Sequence, residues 1–277
     1  MANIQQDKAK IFYDLHHKPN QVLILPNVWD ALSSKIFEQE GAKAIATTSA
    51  GIAVSLGFAD GENVPLDLFF AITERIIKSV NIPVTVDIES GMGKTVEQIC
   101  KNIERLIKIG AAGINIEDAS SINKGQLISI EDQAAKVKAI KTYLNETGSS
   151  IFINARIDTY WLNNIKDELE CFRETSKRIA AYQHAGADGI FIPGLIDLEV
   201  AKRLTMSTNL PLNLLGNIWI KSIDELSNYG IKRISTGSNP IRSIVPTIRN
   251  IGKEILKTGS APHFNDAVSY TELNSWF

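Results

Sequence analysis

Eight short apolar runs, at residues 22–25, 44–46, 84–88, 114–116, 151–153, 189–192, 212–215 and 233–235, recur along the chain with longer amphipathic stretches between them. Runs this short, without an apolar/polar alternation, read as strands buried on both faces. Residues 95–109 show the intervening pattern: Val96, Ile99, Ile103, Leu106 and Ile107 form one stripe beneath Glu97, Lys101, Glu104, Arg105 and Lys108. A weak repeat marks the helix-to-strand passages, at Gly41-Ala42-Lys43-Ala44-Ile45, Gly110-Ala111-Ala112-Gly113-Ile114, Gly186-Ala187-Asp188-Gly189-Ile190 and Gly230-Ile231-Lys232-Arg233-Ile234. A glycine there ends a helix in the left-handed conformation, where a Cβ is costly. Strand then helix, eight times over, predicts an α/β fold of the closed (β/α)8 TIM-type barrel. An open doubly wound sheet often carries a Gly-rich dinucleotide turn after its first strand, and none stands here.

The pattern spans one domain over 1–277, with an N-terminal helix in 1–20, the barrel in 21–258 and a tail in 259–277; at 44% hydrophobic the chain has core enough for it. In the N-terminal helix Ile11, Phe12 and Leu15 share one side, predicting a cap on the lower end of the barrel. The last helix starts near Asn239-Pro240, an N-cap followed by proline, and runs through Pro246 to about Lys257. Phe264, Tyr270, Trp276 and Phe277 make the tail aromatic, suited to docking on a neighbouring subunit or within the chain. Lys+Arg 29 against Asp+Glu 31, with no basic run, argues against a nucleic-acid partner. There is no long apolar span, leader or lipidation motif, so neither membrane insertion nor export is expected. Cys100 and Cys171 lack metal-ligand spacing and read as reduced thiols of a cytoplasmic protein.

In such a barrel the chemistry gathers where the strands end. Those positions read Asn27 and Asp30, Thr47-Thr48-Ser49-Ala50-Gly51, Asp87 and Glu89, Glu117 and Asp118, Asn154, Arg156 and Asp158, Pro193-Gly194, Asn213, and Ser235-Thr236. Alternate residues of a strand share a face, which puts Asp87 beside Glu89 and, across neighbouring strands, near Glu117. Clustered carboxylates need a proton or a cation between them, and oxygen-only donors suit Mg2+. Asp87 is the candidate direct ligand, with Glu89 and Glu117 acting through bound water. Arg156 either clamps a substrate carboxylate in bidentate fashion or pairs with a barrel acid. Ser49, Ala50 and Gly51 offer a hydroxyl and close backbone amides to an anion or enolate, and Asn213 is a further substrate-binding candidate. Gly91-Met92-Gly93-Lys94-Thr95 is not a phosphate loop, because Ile88 stands where that motif needs its first glycine. His16, His17, His184 and His263 all lie away from the strand ends, which argues against a histidine triad. No lysine closes a strand; Lys94 and Lys124, in nearby loops, keep a Schiff-base aldolase open as an alternative.

Six segments in order carry a resemblance: Pro26-Asn27-Val28-Trp29-Asp30-Ala31-Leu32-Ser33, Thr48-Ser49-Ala50-Gly51, Leu56-Gly57-Phe58-Ala59-Asp60, Asp87-Ile88-Glu89-Ser90-Gly91-Met92-Gly93, Gly113-Ile114-Asn115-Ile116-Glu117-Asp118 and Asn154-Ala155-Arg156-Ile157-Asp158. Over roughly residues 10–255 the chain resembles the isocitrate lyase and phosphoenolpyruvate mutase superfamily. The resemblance implies a (β/α)8 barrel whose last helix is exchanged between subunits of a homodimer or homotetramer, binding Mg2+ and 2-oxo acids. It implies Asp87 as direct metal ligand with Asp60, Glu89 and Glu117 through water, and Ser49, Ala50, Gly51 and Arg156 as holders of the substrate; Asp60 comes from the resemblance alone. The chain also departs from the family. Isocitrate and methylisocitrate lyases carry a Lys-Lys-Cys-Gly-His or Lys-Arg-Cys-Gly-His stretch after the fourth strand, where this chain has Ala119-Ser120-Ser121-Ile122-Asn123-Lys124-Gly125-Gln126-Leu127 and no cysteine. The longer gate of the phosphonate-cleaving members is also missing, with Asn123 as a partial stand-in, and Gly194 stands where the lyases have a glutamate. The resemblance thus implies a Mg2+-dependent lyase or mutase acting through an enolate of a small 2-oxo carboxylate, oxaloacetate-like or phosphonate. Asp60, Arg156 and Asn123 are its candidate catalytic residues. The alternatives are a non-catalytic 2-oxo acid binding protein and the Schiff-base aldolase.

Overall fold

The computed structural model describes residues 2–123 and 125–277, so Lys124 lies outside the described residues. The strands are β1 Leu23–Leu25, β2 Asn27–Val28, β3 Ile45–Thr47, β4 Val84–Asp87, β5 Gly113–Glu117, β6 Phe152–Arg156, β7 Gly189–Ile192, β8 Leu212–Leu215 and β9 Ile231–Ser235. Every pairing is parallel, and the order β1-β9-β8-β7-β6-β5-β4-β3-β2 brings the first and last runs of the chain together. The expected first strand, 22–25, appears as β1, and a second short strand, β2, follows it across Pro26. Pro26 has no N–H to give a ladder, so β1 pairs with β9 on one side and β2 with β3 on the other, while the Pro26 carbonyl still accepts the Ala46 N–H at 2.9 Å.

The helices end as the glycine repeat requires. Gly110 and Gly186 cap their helices in the left-handed conformation, each at φ 101°. The helix Val96–Ile109 starts on Thr95, whose hydroxyl accepts the Gln98 N–H, and buries Ile99, Ile103 and Leu106 against the sheet while Val96 stays exposed.

The lower end of the barrel is plugged by the helix Ala2–His16. Its buried face is Gln5, Ala9, Phe12 and His16, so Ile11, expected on the apolar side, is 50% exposed. The deviation has a chemical reason: the first turns lie over strand entrances with open carbonyls, and Gln5 donates to Ala111 O at 2.8 Å and Ser150 O at 2.7 Å. Phe12 packs with Leu23, Leu25, Ala44, Ala46, Ala112 and Phe152, a small core inside the barrel. Gly113 belongs to this packing, because a Cβ there would lie 2.7 Å from Phe12 Cε1.

The last helix is Asn239–Thr258 with Ser238 rather than Asn239 at its N-cap, and it continues through Pro246. Among its residues only Ile241 is buried, and Ile244, Val245, Ile248 and Ile255 are left exposed on a strongly amphipathic helix. Beyond it come the short turn Pro262–Asp266 and the helix Tyr270–Ser275.

His16 carries a testable consequence. Its Nδ1 lies 2.7 Å from Phe12 O and its ring stacks on Phe152 at 4.2 Å. Burial first, and the neighbouring Arg233 second, push its pKa from 6.5 down to about 3. The unfolded chain therefore takes up this proton before the folded one does, and stability should fall as the pH drops below 6.5 towards about 3. The slope from this group is at most about 1.4 kcal/mol per pH unit. Urea denaturation at about pH 7 and about pH 5 should show that loss in the wild type and a shallower one in His16→Leu; equal slopes would overturn the assignment.

Candidate active site

The upper end of the barrel collects the acids, and local backbone chemistry sets each one. β3 ends at Thr47, whose hydroxyl accepts the Asp87 N–H at 2.9 Å and ties the end of β4 beside it. Thr48 caps the helix Ser49–Ser55, its Oγ1 accepting the Gly51 N–H at 3.3 Å. Ser49 then faces Asp87, donating from Oγ to Oδ2 at 3.0 Å and from its amide to the same oxygen at 3.4 Å.

Strand alternation does not carry Glu89 into the site. β4 ends at Asp87, and Glu89 sits in a turn at φ 51°, left-handed and uncommon for a residue with a side chain. That turn, not a pleat, returns Glu89 to Asp87, and the Glu89 carbonyl accepts the Glu117 N–H at 2.8 Å. Asp60 reaches the same place from the loop after the helix Ser49–Ser55 and lines the cavity with Ser49 and Asp87. Although Asp60 stands at the open rim, partial burial of its carboxyl and the charge of Asp87 raise its pKa. Burial, then Asp87, Asp60, Glu117 and Glu62 push Glu89 up to about 9. Burial also raises Glu117, against the pull of Arg156.

Arg156 closes the other side. Its Nη1 is 2.7 Å from Glu117 Oε2 and its Nε 2.8 Å from Asp158 Oδ1, so the ion pair with barrel acids is formed. Burial works against its charge, but Asp158 and Glu117 together raise its pKa. The same side chain lines the cavity, 5.8 Å from the Phe191 ring centroid, so pairing with the acids also aims it at a ligand. Beneath lies a fully buried carboxylate, Asp118. Oδ1 accepts the Asp158 N–H at 2.9 Å, while Oδ2 accepts from Arg178 Nη1 and the Tyr182 hydroxyl, both at 2.8 Å. This network fixes the end of β6, and with it Arg156, to the helix Glu168–Ala185.

These groups surround a cavity of about 140 Å³ whose lining includes Ala50, Asn115, Trp161, Thr236 and Arg242. A wider cleft of about 1010 Å³ adjoins it past Ser49 and Glu89, between the loops at Glu62, Met92 and Ser121. The expected residues take different places. Ser49, Ala50, Asp60, Asp87 and Arg156 line the small cavity; Glu89 lines the cleft, and Glu117 reaches the cavity through Arg156. Gly51 is buried with its N–H given to Thr48, and a Cβ there would strike Thr48 Cγ2 at 2.5 Å, so it serves packing. Asn213 exchanges hydrogen bonds with Ser235 at 3.0 and 3.2 Å, and Ser235, not Asn213, faces the cavity. Asn123 is exposed in the hairpin joined by the Ala119–Leu127 bridge and lines neither space. Lys94 is exposed on the cleft.

Two cavity residues escaped the sequence reading for different reasons. Asn115 was legible, standing two residues before Glu117 on the same face of an otherwise apolar β5. Trp161 was not, because it lies in a one-turn helix, Thr159–Leu162, that no periodicity announces.

The carboxylates suit a hard divalent cation. All donors are oxygens, and Asp60, Glu89 and Glu117 are shifted upward by burial first and by neighbouring carboxylates after it, so a cation among them would favour their charged forms. Among the described residues no three Asp, Glu, His or Cys side chains form a ready chelate. That arrangement matches Mg2+ held by one protein oxygen with its water shell largely kept, better than an ion wrapped by the chain.

Comparison with known proteins finds relatives over most of the chain. The family model for phosphoenolpyruvate phosphomutase matches residues 12–256. An uncharacterized protein of Mycobacterium tuberculosis is 33% identical over 264 residues, covering 95% of both chains. The oxaloacetate decarboxylase of Bradyrhizobium diazoefficiens is 26% identical over 257 residues, covering 90% of this chain and 85% of its own. A crystal structure from Burkholderia cenocepacia J2315, assigned by name as a phosphonomutase, superposes with a TM-score of 0.84 at 36% identity, covering 89% of this chain and 99% of that one.

The Asp118 network should be costly to open. Arg178→Met leaves a buried carboxylate without its cation, which should destabilise the protein by about 3–5 kcal/mol in urea denaturation. A loss below about 1 kcal/mol, the range of an exposed pair, would mean that Asp118 is not held as described.

Proposed function

The chain belongs to the phosphoenolpyruvate phosphomutase family, and from this premise we propose that it is a Mg2+-dependent lyase or mutase of a small 2-oxo carboxylate, oxaloacetate-like or phosphonate. As an enzyme of the phosphoenolpyruvate mutase and isocitrate lyase type, it acts at the mouth of the barrel. The observation that carries the reading is the convergence of Ser49, Asp60, Asp87 and Arg156 on one cavity of about 140 Å³.

Asp87 would hold the metal directly, with Asp60, Glu89 and Glu117 reaching it through water. Bound Mg2+ would supply Lewis-acid polarisation of the 2-oxo and carboxylate oxygens. The chain's own groups do the rest. Arg156, oriented by Glu117 and Asp158, presents its remaining N–H groups to the substrate carboxylate. The Ser49 hydroxyl and the first-turn amide of Ala50, left open by helix geometry, stand where negative charge develops on the oxo oxygen. Trp161 and Phe191 border the cavity and limit water around an enolate.

The lyases' acid has no counterpart here. The hairpin of residues 119–127 has no cysteine. Gly194, at φ 82°, has no room for a side chain, since a Cβ would lie 2.8 Å from Tyr160 O. Cleavage needing a proton from that loop is therefore disfavoured. Of the loop's polar groups, Asn123 is exposed and lines neither space, and Lys124 lies outside the described residues. A Schiff-base route has less support, because no lysine is among the described residues lining the small cavity. A binder without turnover is separated by product analysis.

The exposed apolar face of the helix Asn239–Thr258 supports exchange of that helix between subunits of a homodimer or homotetramer. No helix among the described residues is long and apolar enough to cross a membrane. With both cysteines free, this agrees with a cytoplasmic enzyme.

A thermal-shift panel of 2-oxo diacids, phosphonates and tricarboxylates with and without Mg2+, followed by product analysis, tests the reading. Diacids or phosphonates should stabilise the protein only with Mg2+ and be turned over, and isocitrate should not be cleaved. Asp87→Ala should abolish the Mg2+-dependent shift and Glu117→Gln should weaken it less; equal binding by wild type and Asp87→Ala in calorimetry would sink the metal assignment. For the clamp, Arg156→Lys loses the planar fork and should cost about 1.5–3 kcal/mol of ligand binding in a folded protein. Normal binding of the same ligand by that variant would remove Arg156 from the substrate's contacts.

A further inference from the structure

The structure assigns Glu62 as a positioning residue: its carboxylate clasps the loop that carries Asp60 onto the turn that carries Glu89. The inference rests on the acid cluster being the site proposed above, and its test is built to be read without that activity.

Three donors converge on a single oxygen of Glu62. Oε1 accepts the Ser90 N–H at 3.1 Å, the Ser90 hydroxyl at 2.7 Å and the Met92 N–H at 3.0 Å. In return the Glu62 N–H donates to Glu89 Oε2 at 2.8 Å. Such bonds to an ionised acceptor are the stronger kind. The conformation is specific too, since Gly61 and Glu62 lie at φ 99° and 56°, and Glu89 and Met92 on the other side at 51° and 54°. Left-handed residues with side chains are tolerated where surrounding bonds hold them.

The two partners of the clasp differ in how firmly they are held otherwise. The turn is anchored to the barrel wall: Asn102 Nδ2 donates to Gly91 O at 3.2 Å and Met92 O at 2.8 Å, and Lys136 Nζ donates to Ser90 O at 3.2 Å. A Cβ on Gly91 would lie 2.8 Å from Ile99 Cδ1, so the turn is packed onto the helix Val96–Ile109. The loop around Asp60 has mostly local bonds, from Asn63 Nδ2 to Ala59 O at 3.2 Å and to Asp60 O at 3.0 Å, and from Phe58 N to Ala53 O at 2.9 Å. Among the described residues, the hydrogen bonds from this loop to the acid-bearing turn run through Glu62.

The clasp answers a mechanical need. Asp60 faces Asp87 across the cavity, and like charges there drive the loop outward. Glu62, two residues on, pins that loop to an anchored turn and keeps Asp60 within reach of the metal's water shell. Because every donor meets the same oxygen, the amide of glutamine reproduces the clasp and alanine removes it.

The experiment compares wild type, Glu62→Ala and Glu62→Gln by amide hydrogen exchange over residues 57–65 in the metal-free protein, and by calorimetric titration with Mg2+ alone. Glu62→Ala should speed exchange of the loop and weaken Mg2+ binding, each by about ten-fold or more, the lower end for hydrogen bonds to a charged group. Exchange in the strands should be unchanged, and Glu62→Gln should stay near wild type in both readouts. Ser90→Ala, which removes the shortest of the three bonds, should speed loop exchange part-way and serves if the alanine variant does not fold. Unchanged loop exchange in Glu62→Ala or Ser90→Ala would overturn the clasp. So would a Glu62→Gln variant as impaired as Glu62→Ala, which would place the effect in charge alone. If the wild type bound no Mg2+, the functional reading would fail while the exchange data still decided the clasp.

Discussion

Repulsion among carboxylates is the constraint around which the upper half of this barrel is built. Asp60, Asp87, Glu89 and Glu117 come together from three segments, and burial with mutual charge pushes Glu89 to about 9. Nothing in packing alone would keep them together. Each is instead held by a bond to backbone or side chain that the fold supplies: Ser49 and Thr47 on Asp87, the clasp from Glu62 on the Asp60 loop, and Arg156 on Glu117. The buried Asp118 takes no part in the mouth itself, yet its bonds to Arg178, Tyr182 and the Asp158 amide fix the strand end from which Arg156 projects. Removing water from this cluster strengthens every interaction in it, so the arrangement that is costly to assemble is also the one able to polarise a substrate.

The floor of the barrel complements its mouth. Arg233, fully buried in β9, donates to Asn115 Oδ1 at 3.2 Å, and Asn154 donates to the same oxygen at 2.8 Å. Burial lowers its pKa to about 9 although Asp87 opposes the shift, so the two groups sense each other along the barrel axis. No carboxylate pairs with Arg233 among the described residues, and Phe12 lies below it with the ring centroid 5.9 Å away. The N-terminal helix thus does more than fill space. By closing the floor with Phe12 and His16 it keeps solvent from screening a cation placed beneath the acids. The low pKa of His16 has the same origin, burial first and the nearby charge of Arg233 second.

The fold was legible because its signals are periodic. Short runs, amphipathic stretches and left-handed glycines recur in the same order along the chain, and a repeated weak signal is a strong one. The strand-borne part of the site was legible for the same reason: Asp87, Glu117 and Arg156 close strands, and strand ends are where a barrel does chemistry. What escaped lies in turns. Glu89 reaches the site through a left-handed residue rather than by alternation, and Asp60, Glu62 and Trp161 stand on segments whose path is set by tertiary hydrogen bonds that leave no period in the sequence. Ile11 and Asn213 were misread in the other direction. Each has the right position in its element, but Gln5 and Ser235 make the bond that decides which side chain faces inward or forward. The tight cores around Gly51 and Gly113 show the same limit, since the reason for glycine there is a neighbour distant in sequence or across a turn.

Backbone, rather than the acids, decides what can stand beside the small cavity at position 194. Gly194 follows β7 with the Tyr160 carbonyl so close that no side chain could be added without moving the Thr159–Leu162 turn. The turn in turn carries Trp161 to the cavity, so the path that excludes an acid at position 194 also narrows the space beside Arg156. A single glutamate placed at 194 would therefore meet backbone and not an open subsite, and the flexible end of a side chain cannot yield what a carbonyl blocks. Converting this barrel to cleave larger acids would require rebuilding that turn together with the hairpin of residues 119–127, while Asp87 and its neighbours stayed as they are. On the proposed reading, the groups at the strand ends that would hold metal and 2-oxo acid and the loops that would bound the substrate are physically separable parts of one site.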